Sequence, residues 1–144
     1  MKRFLIALLP ILLLCGCGKS NVPPIDSFTW EMVSVQSAAD NGASIAYGES
    51  GLGTADDAVL LDMICTAENG VLTIMDNTNQ LSYSGTYSIK DRDPESTLYD
   101  VVIEGKNGFA VTGTTSYLNE STKPTLIINL NEYVINFFPV QTIE

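Results

Sequence analysis

Strict alternation of apolar and hydroxyl-bearing residues over positions 81–89 is the feature that most constrains the fold of this chain. The apolar set comprises Leu81, Tyr83, Gly85, Tyr87 and Ile89, and the residues between them are serine or threonine. A period of two places the two sets on opposite faces of a β-strand, so one face is predicted to pack on a core while the other meets water. Residues 109–117 repeat this period, with Phe109, Val111 and Tyr117 predicted on the apolar face.

Turn residues separate this strand from several similar runs. Asn-Gly pairs occupy positions 41–42, 69–70 and 107–108, and these residue types best tolerate the positive φ angles of type I′ hairpin turns. Together with Asn131-Glu132 they predict four hairpins, which pair residues 28–36 with 43–47, 59–67 with 71–75, 98–104 with 109–117, and 125–130 with 133–138. The glycine-rich residues 48–58 are predicted to form a long loop. Short strands with turns at intervals of roughly 8 to 12 residues indicate an all-β sandwich or barrel.

The N-terminus has a different character. Two basic residues precede an apolar run over residues 4–14, which ends in Leu14-Cys15-Gly16-Cys17. This arrangement resembles the signal peptide and lipobox of bacterial lipoproteins. The resemblance implies cleavage before Cys17 and lipidation of Cys17, with Cys15 as the second candidate. Since the run is far shorter than the ~20 residues that span a bilayer, we expect a lipid anchor on the extracytoplasmic face of the cell membrane.

Three segments follow from this interpretation: a signal peptide (1–16), a lipidated tether (17–27) and one folded domain (28–144). Loss of Lys2 and Arg3 takes the net charge from −10 to −12. Nucleic acid is not an expected partner, because the five remaining basic residues are scattered through an acidic chain. The only thiol in the folded domain is Cys65, which is predicted to be buried.

Catalytic and metal-binding patterns are weak. The chain has no histidine, which excludes Ser-His-Asp and Cys-His catalytic sites. The adjacent pair Asp56-Asp57 lies in the predicted loop and is interpreted as solvated. Asp91, Asp93 and Glu95 alternate like the start of a calcium loop, but the later positions of that loop do not match, so they predict a charged hairpin tip. We therefore predict a protein that is not an enzyme and holds no metal or cofactor.

Aromatic residues recur on or near the predicted apolar faces. They are Trp30, Tyr83, Tyr87, Tyr99, Phe109, Tyr117, Tyr133 and Phe137. Such residues usually fill the core of a small barrel, but they can also line a ligand cavity. The residues predicted to contact a ligand in that case are Trp30, Tyr83, Tyr87 and Tyr117.

Trp30 in the first predicted strand, the Asn-Gly turns and the run Tyr83-Ser84-Gly85-Thr86-Tyr87 resemble small lipocalin-like lipoproteins of clostridial type. The resemblance implies an antiparallel lipocalin-like barrel of about eight strands behind a short N-terminal tether. It also implies a noncatalytic module that binds a small apolar ligand or an envelope protein. The alternative is an envelope structural or inhibitor protein whose barrel is solid and takes no small-molecule ligand.

Overall fold

The computed structural model describes residues 21–39, 43–48, 59–116 and 122–140. These residues form ten β-strands and one 3₁₀ helix (Ile25–Ser27), with no α-helix among them. The strands are β1 (Trp30–Ser37), β2 (Ser44–Tyr47), β3 (Val59–Leu60), β4 (Met63–Glu68), β5 (Val71–Asp76), β6 (Leu81–Arg92), β7 (Thr97–Ile103), β8 (Lys106–Thr115), β9 (Lys123–Leu130) and β10 (Tyr133–Pro139).

Eight strands close into a ring. Strands β4 to β10 pair in chain order, and β1 completes the ring by pairing with both β4 and β10. Every neighbouring pair in the ring is antiparallel. The predicted all-β antiparallel barrel of about eight strands is confirmed. We call the end that holds the 3₁₀ helix the closed end, and the opposite end, with the β5–β6, β7–β8 and β9–β10 turns, the open end.

Strands β2 and β3 lie outside the ring. The start of β1 pairs with β4, whereas Ser34 to Gln36 pair with β2, which in turn pairs in parallel with β3. The predicted continuous strand over residues 59–67 is therefore wrong. Leu61 and Asp62 interrupt it, because the residues before them pair with β2 and those after them pair with β1 and β5.

Three of the four predicted hairpin connections can be compared with the structure. Asn69 and Gly70 have φ angles of 51° and 80° and join β4 to β5, as the Asn-Gly pair predicts. Asn131, with φ 59°, begins the turn between β9 and β10. The β1–β2 pairing is also confirmed, although its turn at 41–42 and residues 49–58 of the predicted loop lie outside the described residues.

The third Asn-Gly pair is not a turn. Glu104 and Gly105 form the β7–β8 turn, with φ angles of 49° and 74°, and Ile103 pairs with Lys106. Asn107 and Gly108 are inside β8. A Cβ atom on Gly108 would lie 2.2 Å from the carbonyl oxygen of Asn129, so this glycine serves the close approach of β8 and β9 instead of a turn.

The predicted apolar face of β8 is also wrong. Ala110 and Thr112 are fully buried, whereas the Phe109 side chain is 42% exposed. The buried Tyr99 faces the barrel interior and pairs with Ala110, so Ala110 also faces inward, and its small side chain leaves room for the Tyr99 ring. In β6 the predicted alternation is confirmed over residues 83–87: Tyr83 and Tyr87 are half-buried and pack on the core, and the hydroxyl residues are exposed. It is wrong at the two ends of the predicted face, where Leu81 and Ile89 are each 50% exposed.

Aromatic residues fill the closed end. Trp30, Tyr99 and Phe137 are almost fully buried, and the Phe28 ring meets Trp30 edge-on at a centroid distance of 5.3 Å. Trp30 Nε1 donates a hydrogen bond to the carbonyl oxygen of Ile25 (2.7 Å), and the Ile25 amide donates to the Tyr99 hydroxyl (3.1 Å). These bonds hold the 3₁₀ helix across this end and satisfy the buried polar groups of both aromatic side chains.

Candidate ligand-binding cavity

A cavity of about 540 Å³ occupies the open end of the barrel. Its inner wall is formed by side chains that solvent scarcely reaches. They are Val35, Ala46, Met63, Ile74, Ile103 and Ile135. The volume falls within the range of small-molecule sites, about 300–1,000 Å³, and the apolar wall is typical of such sites.

Two strands outside the ring add to the wall at this end of the barrel. Because β1 leaves β4 after its first residues and pairs with β2 instead, β2 and β3 extend the wall between them. The Leu61 amide donates a hydrogen bond to the Tyr47 carbonyl (2.9 Å), which holds the connection between β3 and β4 against the end of β2. Ile45, Ala46 and Val59 thereby reach the cavity from strands outside the ring.

Three charged residues line the same cavity: Asp76, Glu104 and Lys106. Asp76 is 5% exposed and accepts hydrogen bonds from the backbone amide (2.9 Å) and side-chain amide (2.7 Å) of Asn79. Glu104 and Lys106 are exposed on either side of Gly105, and the Glu104 carboxylate accepts a hydrogen bond from the Ser84 amide (2.8 Å). The wall is therefore apolar inside and carries charge towards its rim, with one buried carboxylate.

The structure separates the four aromatic residues that the sequence proposes as ligand contacts. Tyr83 lines the cavity. Trp30 lies at the closed end, where it pairs with Cys65 across β1 and β4, and its indole N–H donates a hydrogen bond to the Ile25 carbonyl oxygen. Tyr87 packs against Tyr99 at 5.9 Å, edge to face, away from the cavity lining. Tyr117 lies outside the described residues, as does the proposed lipidation site Cys17.

The sequence analysis does not name Asp76 as a cavity residue, and it includes Tyr133 only in the wider aromatic set, outside the four predicted ligand contacts. Tyr133, 43% exposed, begins β10 at the rim. Asp76 precedes the turn-forming residues Asn77, Thr78 and Asn79, yet a period of two from Leu72 and Ile74 places it on the inward face. That alternation is the signal that would have found it.

Two other groups suggested by the sequence have structural roles in the described chain. Cys65 is fully buried, as predicted, and burial raises the pKa of its thiol to about 12. Asp93 accepts hydrogen bonds from the Ser96 hydroxyl and from the Glu95 and Ser96 amides, which lower the pKa of its carboxyl group and close the β6–β7 turn. Across the described ranges, no group of three or more cysteine and acidic residues is arranged to hold a metal ion.

Comparison with known proteins adds no relative. No known protein family, curated protein or solved structure matches this chain. Within residues 21–39, 43–48, 59–116 and 122–140, no helix has the length and apolar character needed to cross a membrane. The cavity itself is therefore the basis for any assignment of function.

Proposed function

We propose that this protein is a noncatalytic binding module that holds a small apolar molecule in the open end of its barrel and is anchored outside the cell membrane by a lipid on Cys17. The observation that supports binding is the 540 Å³ cavity with its apolar inner wall. A solid barrel, the alternative function considered from the sequence, has no such space. The lipocalin-like resemblance supports the same class of ligand.

Titration of a neutral apolar dye tests the binding proposal. Among the described residues, the buried core extends from Val22 to Phe137, so the form that begins at Lys19 keeps all of these core residues. N-phenyl-1-naphthylamine should gain fluorescence with this form and saturate at one site. Absence of a saturable signal would overturn the binding function.

A cavity-filling variant shows whether the dye enters the cavity. Ala46 is buried in the cavity wall, whereas Ala43 lies exposed before the same strand. Ala46→Phe should weaken dye binding at least about tenfold because the added ring occupies the ligand volume. Ala43→Phe should leave binding unchanged. Equal affinities for the two variants would show that the dye binds elsewhere.

Fractionation of cells tests the anchor. Cys17→Ala should move the protein from the membrane fraction to the soluble fraction, because acyl chains on that cysteine supply the attachment. Cys15→Ala is the matched control and should stay with the membrane. Release of the protein by Cys15→Ala alone would transfer the lipidation site to Cys15, and retention of both variants would contradict the lipid anchor.

A further inference from the structure

The buried carboxylate of Asp76 distinguishes this cavity from a purely apolar one. Asp76 ends β5, pairs in register with Met63 and lies two residues beyond Ile74, so all three side chains face the barrel interior. It is 95% inaccessible to solvent although it borders the cavity. A ligand in the cavity would therefore meet this carboxylate inside the wall, where water screens it weakly.

The partners of Asp76 leave capacity for a ligand. Asn79 provides one N–H donor to each carboxylate oxygen, whereas an ionised carboxylate accepts about four hydrogen bonds. In the described part of the chain, no basic side chain forms an ion pair with Asp76. A buried charge is costly unless it is paired, so a positively charged partner would be strongly favoured at this point.

The remaining charges at the open end favour the same sign of ligand. Glu104 and Lys106 lie two residues apart at the rim and offset each other, which leaves the charge of Asp76 uncompensated. The chain as a whole has a net charge of −10, and such a field attracts cations and repels anions. Tyr83 and Tyr133 line the same cavity and offer aromatic faces that can contact an ammonium group.

We propose that the cavity is selective for compact apolar molecules that carry a positively charged amine, with Asp76 as the residue that receives the ammonium group. The proposal rests on the binding function above and specifies its ligand class. The apolar body of the ligand lies against the inner wall around Ile74, Ile103 and Ile135, and the ammonium group donates hydrogen bonds to the free carboxylate positions of Asp76.

Three ligands with the same naphthalene body test this selectivity by isothermal titration calorimetry at neutral pH. They are 1-naphthylmethylamine, 1-naphthalenemethanol and 1-naphthaleneacetate. In the form that begins at Lys19, the amine should bind at least about tenfold tighter than the alcohol, and the carboxylate should bind weakest. Equal affinities for amine and alcohol, or tighter binding of the carboxylate, would overturn the proposal.

Two variants assign the selectivity to Asp76. Asp76→Asn should reduce the amine-to-alcohol affinity ratio to about one while the alcohol binds as before. Glu68→Gln removes the same charge from an exposed site at the closed end and should keep the ratio. A ratio that persists in Asp76→Asn would overturn the role of Asp76, and if that variant fails to fold, the ligand series in the unaltered protein still decides the selectivity. Failure of all three ligands and of the neutral dye would instead overturn the binding function itself.

Discussion

Thr112 is the one described residue whose side chain has a fully buried oxygen or nitrogen atom without a hydrogen-bond partner in the structure. Its side chain is inaccessible to solvent and faces the barrel interior between Thr97 and Leu126. A buried hydroxyl without a partner destabilises a protein by about 1–3 kcal/mol. Thr112→Val keeps the shape of the side chain, so we expect it to raise the free energy of unfolding by about 1 kcal/mol, measured by urea denaturation.

The exposed Thr86 provides the control for this substitution. It lies on the hydroxyl face of β6, where water satisfies its side chain. Thr86→Val should change the free energy of unfolding by less than about 0.5 kcal/mol. A loss of stability in Thr112→Val would show that its hydroxyl has a favourable partner.

Cys65 should be chemically inert in the folded protein. Burial raises its pKa to about 12, and the thiolate is the form that reacts with disulfide reagents. At pH 8 the form that begins at Lys19, in which Cys65 is the sole thiol, should react with 5,5′-dithiobis(2-nitrobenzoate) only as it unfolds. Addition of urea should restore the rate of an ordinary cysteine. Rapid labelling of the native protein would contradict the buried position.

At the scale of strands, the placement of the β7–β8 turn can be tested with two glycines of the same strand. A Cβ atom on Gly108 would meet the backbone of Asn129, whereas the nearest atoms to a Cβ on Gly113 are 3.7 Å away. Gly108→Ala should therefore lower the free energy of unfolding by about 1–3 kcal/mol through overpacking. Gly113→Ala should be neutral or slightly stabilising, because alanine restricts the unfolded chain.

Thermal and urea unfolding of the two variants would measure this difference. If Asn107 and Gly108 formed the turn instead, Gly108 would be outside the β8–β9 contact and its replacement would act only through a positive φ angle. Equal effects of the two substitutions would contradict the register in which Ile103 pairs with Lys106.

These strands also show how far the sequence determines the fold. Alternation and turn residues were sufficient for an all-β barrel and for the hairpins at Asn69-Gly70 and Asn131-Glu132, since both signals are local. No local signal in the sequence decides whether the β7–β8 turn lies at Glu104-Gly105 or at Asn107-Gly108. With either turn, the same residues of β7 and β8 would face the barrel interior. Two contacts distinguish the turns: Ala110 pairs with Tyr99, and Gly108 lies against Asn129.

The cavity was less predictable for the same reason. The period of two places Asp76 and Tyr83 on inward faces, so the sequence contains the information that they can meet. The wall at the open end depends on two pairings. In one, β2 pairs with the second half of β1. In the other, β3 pairs with β2, and no local pattern in the sequence indicates this contact. Trp30 is one of the aromatic residues that the sequence predicts as ligand contacts, whereas its position at the start of β1 places it at the closed end.

At the scale of the whole molecule, the start of the described chain fixes an orientation for the proposed lipid anchor. The Asn21 amide donates to the Pro94 carbonyl (3.4 Å) in the β6–β7 turn, which lies at the closed end. Cys17 lies four positions before Asn21 in the chain, and an extended chain of that length spans at most about 14 Å. Lipidation of Cys17 would therefore hold the closed end at the bilayer and direct the cavity towards the aqueous phase.

Fluorescent labels at the two ends of the barrel test this orientation. Glu95→Cys lies in the β6–β7 turn and Glu132→Cys in the β9–β10 turn, and both glutamates are exposed. With the lipidated protein in vesicles that contain nitroxide-labelled headgroups, the label at position 95 should be quenched much more than the label at position 132. Buried Cys65 should not take up label. An open end that faces solvent would receive water-borne molecules, which agrees with a charged amine as ligand. Stronger quenching at position 132 would instead place the cavity at the bilayer and favour a membrane lipid as its occupant.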